Sequence, residues 1–379
     1  MRKIGFFSLL MATMVLFFSC KKNQATLENL SSVKFEEAET KTLSEVKTGN
    51  VVNDPATGEN KFEYLITVQK PYTLAPLSLV SEMNSEVIYP GSILQGGSFM
   101  KGVYDPVRLA NDFEPVDLSV TLRGDGLVVS KSVVPVLSKI RQATNDLIAG
   151  QENKISGKYV PAVFDYQSHT VSTEESMKRS FSIHVGAEVF KGIVKADFNY
   201  NQSKAYKENK HYVMISFRQF LYNIAIDPKH YSQWIKGDID VKQMGGYEPV
   251  YISSVDYGRM AYIMIETNKS VEKMKAMFEA AVRVSLKVVK AGVDVKYHQE
   301  FAKLFSESKV KVKIVGGPVE LAAGVNDIES FTKFIQMPNA KQLIASSAPI
   351  AYKVRRLRDN TEVDVKDAYT ECFVELRDK

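Results

Sequence analysis

A mixed α+β fold is predicted, and three observations predict it. Runs with strand character recur at 116–122, 211–226, 250–266 and 310–315. Helical stripes lie among them at 133–148 and 328–335. The order is strands, helices, long strands, helix, strand, helix, strand, with no βαβ rhythm and no internal repeat. With 379 residues, 45% apolar and 25% charged, the composition is that of a globular protein. Wholesale disorder, collagen and a polytopic membrane protein are excluded. The length exceeds what one core organises, so two or three packed units are expected. A net charge of +5 is too mild to indicate nucleic acid, and no such partner is expected. Two cysteines and five histidines rule out a disulfide framework and a Cys-rich zinc site.

At the amino terminus, Arg2 and Lys3 precede an apolar run of 15 residues at 4–18. A spanning helix needs roughly 20, so the run reads as a secretory h-region. Ser19 and Cys20 close it in the layout of a bacterial lipoprotein signal, although Phe17 stands where such signals prefer Leu. Residues 1–19 are then the signal peptide, and Cys20 becomes the lipidated first residue. Export to a bacterial outer membrane or cell surface follows, with a lipid anchor worth about 0.8 kcal/mol per buried CH₂. Ordinary secretion with an incidental cysteine is the competing reading. With Cys20 modified, Cys372 is a lone thiol. Residues 20–58 are rich in Lys, Glu, Thr, Ser and Asn and read as a polar tether, open to cleavage and release. The folded region is then 59–379.

Along the body, 61–68 has strand character and Tyr89-Pro90-Gly91 marks a turn. Val116, Leu118, Val120 and Leu122 alternate into the turn Arg123-Gly124-Asp125-Gly126. That Arg-Gly-Asp is a possible adhesion motif, but Gly126 accounts for it as a turn. Val133, Val136, Leu137, Ile140, Leu147 and Ile148 make one helical face ending at Gly150. Gly316-Gly317-Pro318 stops the strand at 310–315.

Two stretches, about 177–206 and 271–309, are the most informative. In the first, Phe181, Ile183, Val185, Ala187 and Val189 take every second position, and Val194, Ala196 and Phe198 resume the alternation. In the second, Val282, Val284, Leu286 and Val288 alternate with polar residues, and Val293 and Val295 follow the interruption at 289–292. Strict alternation over about 9–11 residues suits a strand with one face in lipid and one in water. Each stretch therefore reads as a hairpin with a glycine-containing tip, and His184 and His298 fall on the polar faces. A helical stripe is superimposed: Ile183, Ala187, Phe190, Val194 and Phe198, then Met274, Met277, Phe278, Ala281 and Val282. Such residues can pack as helices in one state and pair as strands in another. Two plain half-buried hairpins or helices remain the simpler alternative.

Six short motifs in order carry a family resemblance. Tyr251-Ile252-Ser253-Ser254-Val255-Asp256-Tyr257-Gly258-Arg259, running on to Ile265-Glu266-Thr267, resembles the central strand of the cholesterol-dependent (thiol-activated) cytolysins. Ala276-Met277-Phe278-Glu279-Ala280 is similar to the start of that family's second inserting segment, and Asp197-Phe198-Asn199 to a triplet in its first. Ile314-Val315-Gly316-Gly317, Ile88-Tyr89-Pro90-Gly91 and Leu357-Arg358-Asp359-Asn360 resemble further family motifs. The resemblance covers roughly 60–375. It implies a bent central antiparallel sheet flanked by two helical bundles, of the membrane-attack-complex/perforin–cytolysin type. It also implies monomers that assemble into a ring and unfurl the bundles into two β-hairpins each. In that scheme Gly316 and Gly317 form a hinge that uncovers a strand edge for the neighbouring subunit.

The family continues into a β-sandwich with a Trp-rich loop and a Thr-Leu pair that bind cholesterol. The sequence given stops at Lys379 and its single tryptophan is Trp234, so cholesterol binding by that route is not expected. The pattern suits short cytolysin-like bacterial members, thought to work beside a longer partner. No metalloprotease, hydrolase, phosphate-loop or dinucleotide motif is present, and the histidines show no ligand spacing. Neither an enzyme, a cofactor nor a metal is expected. Lys309, Lys311 and Lys313 form a row that meets an acidic edge or is simply solvated. The expectation is a toxin-like, pore-forming lipoprotein subunit acting on a target membrane. The alternative is a non-lytic surface adhesin or scaffold with the same fold.

Overall fold

The computed structural model describes residues 27–379 except 55, 75–76, 79–85, 150, 152, 156–162, 187, 193–197, 199–210, 289–291, 308–309 and 337–338. Its strands are β1 (Lys41–Asn53), β2 (Asn60–Leu74), β3 (Leu77–Ser78), β4 (Ile93–Leu94), β5 (Val116–Val120), β6 (Ser130–Val133), β7 (Val163–Val171), β8 (His211–Ile226), β9 (Val250–Thr267), β10 (Val310–Val315), β11 (Ala348–Arg356) and β12 (Val365–Arg377). The helices are α1 (Gly96–Met100), α2 (Leu137–Ile148), α3 (Glu174–Phe181), α4 (Val271–Ser285), α5 (Gly292–Glu307), α6 (Val319–Ala322), α7 (Ile328–Ile335) and α8 (Ala340–Ala345).

Everything is organised on β8 and β9, which pair antiparallel over nearly their full lengths. The large sheet runs β3-β11-β9-β8-β5-β6, with β7 added on β8 and both β4 and β10 on β9. Leu221 in β8 and Ile350 in β11 are each an extra residue flanking Tyr257 of β9. Two bulges at one level bend the strands there, because a bulged strand kinks and twists. A separate sheet of order β1-β2-β12 is antiparallel throughout.

Alternate residues of β8 and β9 enter different cores. Met214, Met260, Tyr262 and Met264 join a cluster with Met177, Phe181 and Ile183. On the other face, Val213, Ile215, Phe217, Ala261, Ile263 and Ile265 pack with α4, α5 and α7. A third cluster gathers β5, α2, Trp234 and α8 beyond the bend. The strands are apolar on both faces because both faces are covered.

The expected tether at 20–58 is corrected in its described part. Leu27 and Val33 are buried. The Val33 N–H donates to the buried Glu248 carboxylate at 3.0 Å, while Arg356 donates to the Val33 carbonyl at 2.9 Å. Residues 41–53 form β1, whose side chains are mostly exposed on both faces. A polar edge strand of this kind shows no alternation, which is why its composition reads as a linker. The expected signal peptide at 1–19 and Cys20 lie outside the described residues.

Candidate functional site

Three adjacent strand pairs finish at one end of the large sheet. Val171 pairs with Tyr212, His211 with Thr267, and Val310 with Ile265. The connections at this end, 172–210 between β7 and β8 and 268–309 between β9 and β10, contain both informative stretches.

The second connection is two helices. Ser270 caps α4 by accepting the Lys273 N–H at 3.2 Å. The predicted stripe Met274, Met277, Phe278, Ala281 and Val282 is fully buried against β8 and β9. Phe301 and Phe305 bring α5 onto the same cluster, with the Phe278 and Phe301 rings 5.8 Å apart. Arg283 ties the pair through the Asp294 carboxylate at 2.6 Å, and Lys273 pairs with Glu300 at 3.3 Å. The predicted strand positions do not share a face here. Val282 is buried, Val284 and Leu286 are half-buried, and Val288, Val293 and Val295 are 61%, 60% and 45% exposed. No hairpin forms among the described residues of this stretch. The i, i+3, i+4 stripe covers the sheet with more apolar surface than alternate positions could, so the helical period prevails.

The first connection is less regular. Thr173 and Ser176 form a capping box at the start of α3. The helix ends at Ser182 in the left-handed region (φ 52°), and 183–186 is irregular before a helical turn at 188–192. Phe181, Ile183, Val185, Phe190 and Phe198 are buried and Val189 packs beside them. The Phe181 ring lies 4.7 Å from Tyr262 and 5.3 Å from Phe198. Neither the expected strand at 181–189 nor an unbroken helix through Ile183 forms. Ala187, Val194 and Ala196 lie outside the described residues. His184, expected on a polar face, is buried among Phe35, Phe99 and Tyr104, and its carbonyl accepts from the Tyr104 hydroxyl. A single histidine placed among aromatic rings packs as one of them.

Side-chain contacts hold α3 against β12. Lys178 pairs with Asp367 at 3.1 Å, the Cys372 N–H donates to Ser172 at 2.9 Å, and the Arg179 guanidinium sits 4.4 Å from the Tyr369 ring centroid. His169 on β7 is a group that sequence reasoning passed over. Its imidazole is pushed down to about 4, first by burial and then by the charges of Arg179 on α3 and Lys275 on α4.

Gly316 and Gly317 end β10 at φ +73° and +91°, where side-chain-bearing residues are strained. A Cβ on Gly316 would stand 2.5 Å from the Gly258 carbonyl oxygen, and one on Gly317 3.0 Å from the Phe334 ring. Lys311 is exposed and Lys313 half-buried on β10; Lys309 is outside the described residues. Trp234 is buried beside Tyr251. Among the described residues no helix is long and apolar enough to cross a membrane.

The arrangement, a bulged antiparallel sheet with two helical connections at one end of its central strands, is that of the cytolysin class. The crystal structure of the human-specific toxin intermedilysin superposes with a TM-score of 0.66 at 23% identity, over 93% of this chain and 72% of that one. Wild-type pneumolysin gives 0.62 at 23% identity, over 93% and 72%. The thiol-activated cytolysin pattern matches residues 40–376, and the chain belongs to that family. Pneumolysin of Streptococcus pneumoniae is 28% identical over 337 residues, 83% of this chain and 65% of its own length. Perfringolysin O of Clostridium perfringens is 25% identical over 358 residues, 90% of this chain and 68% of its own. The chain thus spans about 65% of pneumolysin's length.

Proposed function

We propose that the chain is a pore-forming subunit. It is exported with residues 1–19 as a signal peptide and held to a bacterial membrane by lipid on Cys20. It assembles into a ring with copies of itself and with a longer member of the family. Each subunit then inserts the stretches at about 177–206 and 271–309 into a target membrane as two β-hairpins. One observation carries this reading: both stretches join neighbouring antiparallel strands at the same end of one sheet. Straightening them lengthens β7–β8 and β9–β10 without new topology. Phe181, Ile183, Val185, Ala187, Val189, Val194, Ala196 and Phe198 would then face lipid, together with Val282, Val284, Leu286, Val288, Val293 and Val295. Backbone groups in hydrocarbon must all be paired, so such strands enter only as a closed barrel. The left-handed pair Gly316-Gly317 supports a hinge at the end of β10, about which the segment that follows would swing to uncover a strand edge for a neighbour.

The test is dye release from phosphatidylcholine vesicles, with and without cholesterol. The full chain is used alone and mixed with a longer relative. Leakage with large rings is the expected result. Val284→Arg places a charge on the lipid face at about 2–4 kcal/mol near the midplane, so leakage falls at least tenfold while rings persist. If no mixture leaks or forms rings, the surface adhesin or scaffold reading replaces this one.

A further inference from the structure

The segment that leads from the amino terminus to β1 is strapped across the end of the molecule where β9 begins. The Ser31 N–H donates to the Gly246 carbonyl at 3.0 Å, and the Glu248 N–H to the Ser31 carbonyl at 2.8 Å. Glu248 is fully buried; it accepts the Val33 N–H and lies within 3.4 Å of both Arg356 and Arg358. Arg358 also donates to Ser32 Oγ at 3.0 Å, and the Phe35 ring stands 5.4 Å from that of His184. Leu27, the first described residue, is buried in the cluster beyond the bend. Lifting the strap would break these hydrogen bonds and expose Leu27 and Val33 to water, so it stays seated.

Only the residues 21–26 separate Cys20 from Leu27. However they are arranged, that length of chain reaches no more than about 25 Å. The hairpins need more. They leave the sheet at Val171 and Thr267, and their first lipid-facing positions, Phe181 and Val282, come 10 and 15 residues later. A further 10 residues of β9 separate Thr267 from the bend at Tyr257. About 20 residues of strand, tilted roughly 40° from the pore axis, put the bend roughly 50 Å above the hydrocarbon. Leu27 lies beyond that level, twice as far as its link to Cys20 can reach.

We propose that the lipid and the pore cannot share a bilayer. While Cys20 is acylated and the strap is seated, the anchoring membrane faces the Leu27 end, and the hairpins serve only a second membrane opposite. The membrane that carries the subunit is spared by geometry alone. The proposal rests on the pore-forming reading for the hairpins, while the direction of the anchor can be measured without a pore.

The acylated full chain, purified from bacterial membranes, is reconstituted through its lipid into phosphatidylcholine vesicles holding one dye. Bare vesicles holding another dye are added, with and without a longer relative. The bare vesicles should leak at least tenfold more than the bearing ones. A 60-residue Gly-Ser insert after Gln24 has an r.m.s. span of about 45 Å and should bring the two within about twofold. Direction is read from fluorophores at Lys242→Cys, on the exposed turn before Gly246, and at Asn268→Cys, exposed just past β9, each in a Cys372→Ser chain. Headgroup acceptors in the bearing vesicle should quench position 242 at least fivefold more than 268. Equal quenching, leakage of the bearing vesicles at the native length, or a chain that carries no lipid would each overturn the proposal. The expected quenching with no leakage from any vesicle keeps the direction of the anchor and removes the pore-forming reading; leakage of the bearing vesicles does the reverse.

Discussion

The connection after β7 and the connection after β9 cover opposite faces of the same two strands, and they pack differently. Among its described residues the first has one short helix, an irregular run and a helical turn, and it buries Phe181, Ile183 and Val185 within five residues. It is also tied to β12 by an ion pair, a cation–π contact and a hydrogen bond from the Cys372 N–H to the Ser172 hydroxyl. The second uses two longer helices whose stripe is buried and whose far end leaves Val288, Val293 and Val295 in water. Fully burying an apolar side chain is worth about 1.5–3 kcal/mol. The described alternating residues of the first connection are therefore mostly committed to the core, and those of the second are half free. The second still buries Met274, Met277, Phe278 and Phe301 completely, so it is its far end, and not the whole connection, that is free to move first.

Substitutions can break or sharpen that contrast. The largest effect is expected at Phe181→Ala, about 3–5 kcal/mol less stable by denaturant unfolding, because the site is fully enclosed by rings. A loss below 1 kcal/mol would mean these positions are held as loosely as the exposed far end of the second connection. Next comes His169 on β7, which feels the charge of Arg179 from the first connection and of Lys275 from the second. Its folded pKa is about 4 against 6.5 unfolded, so the unfolded chain binds more protons between those values. Its contribution is complete above pH 6.5 and is lost as pH falls towards 4. His169→Gln should flatten that acid decline, by about 1–3 kcal/mol at pH 4 in unfolding measurements. Lys178→Met should cost up to about 1 kcal/mol at low salt and less at high salt, since the Asp367 pair is partly exposed. Smallest of all, Val293→Thr should leave stability within about 0.5 kcal/mol while reducing vesicle leakage, because its side chain is spent only after release.

Much of the sheet was legible because its strands are apolar on both faces. The runs at 211–226 and 310–315 coincide with β8 and β10, and 250–266 ends one residue before β9 does. The stripe at 271–282 was equally clear. Alternation at 181–189 and 282–288 was the ambiguous signal, since period two records which residues want apolar surroundings and not which backbone supplies them. Strand β1 was missed because both of its faces carry polar groups. Arg259 sits inside the recognised motif at 251–259, yet nothing nearby announces its burial. Two of its three hydrogen-bond acceptors are backbone carbonyls 75 and 76 residues away.

The change of partner along β9 also sets where a longer hairpin would begin. β11 occupies 250–258 and β10 occupies 260–265, so the β9–β10 pair starts at Met260 and has room to grow only away from the bend. Six residues of it, about 20 Å, are already in register in the water-soluble form. Insertion as proposed would extend a ladder that exists, and would not have to search for a new alignment.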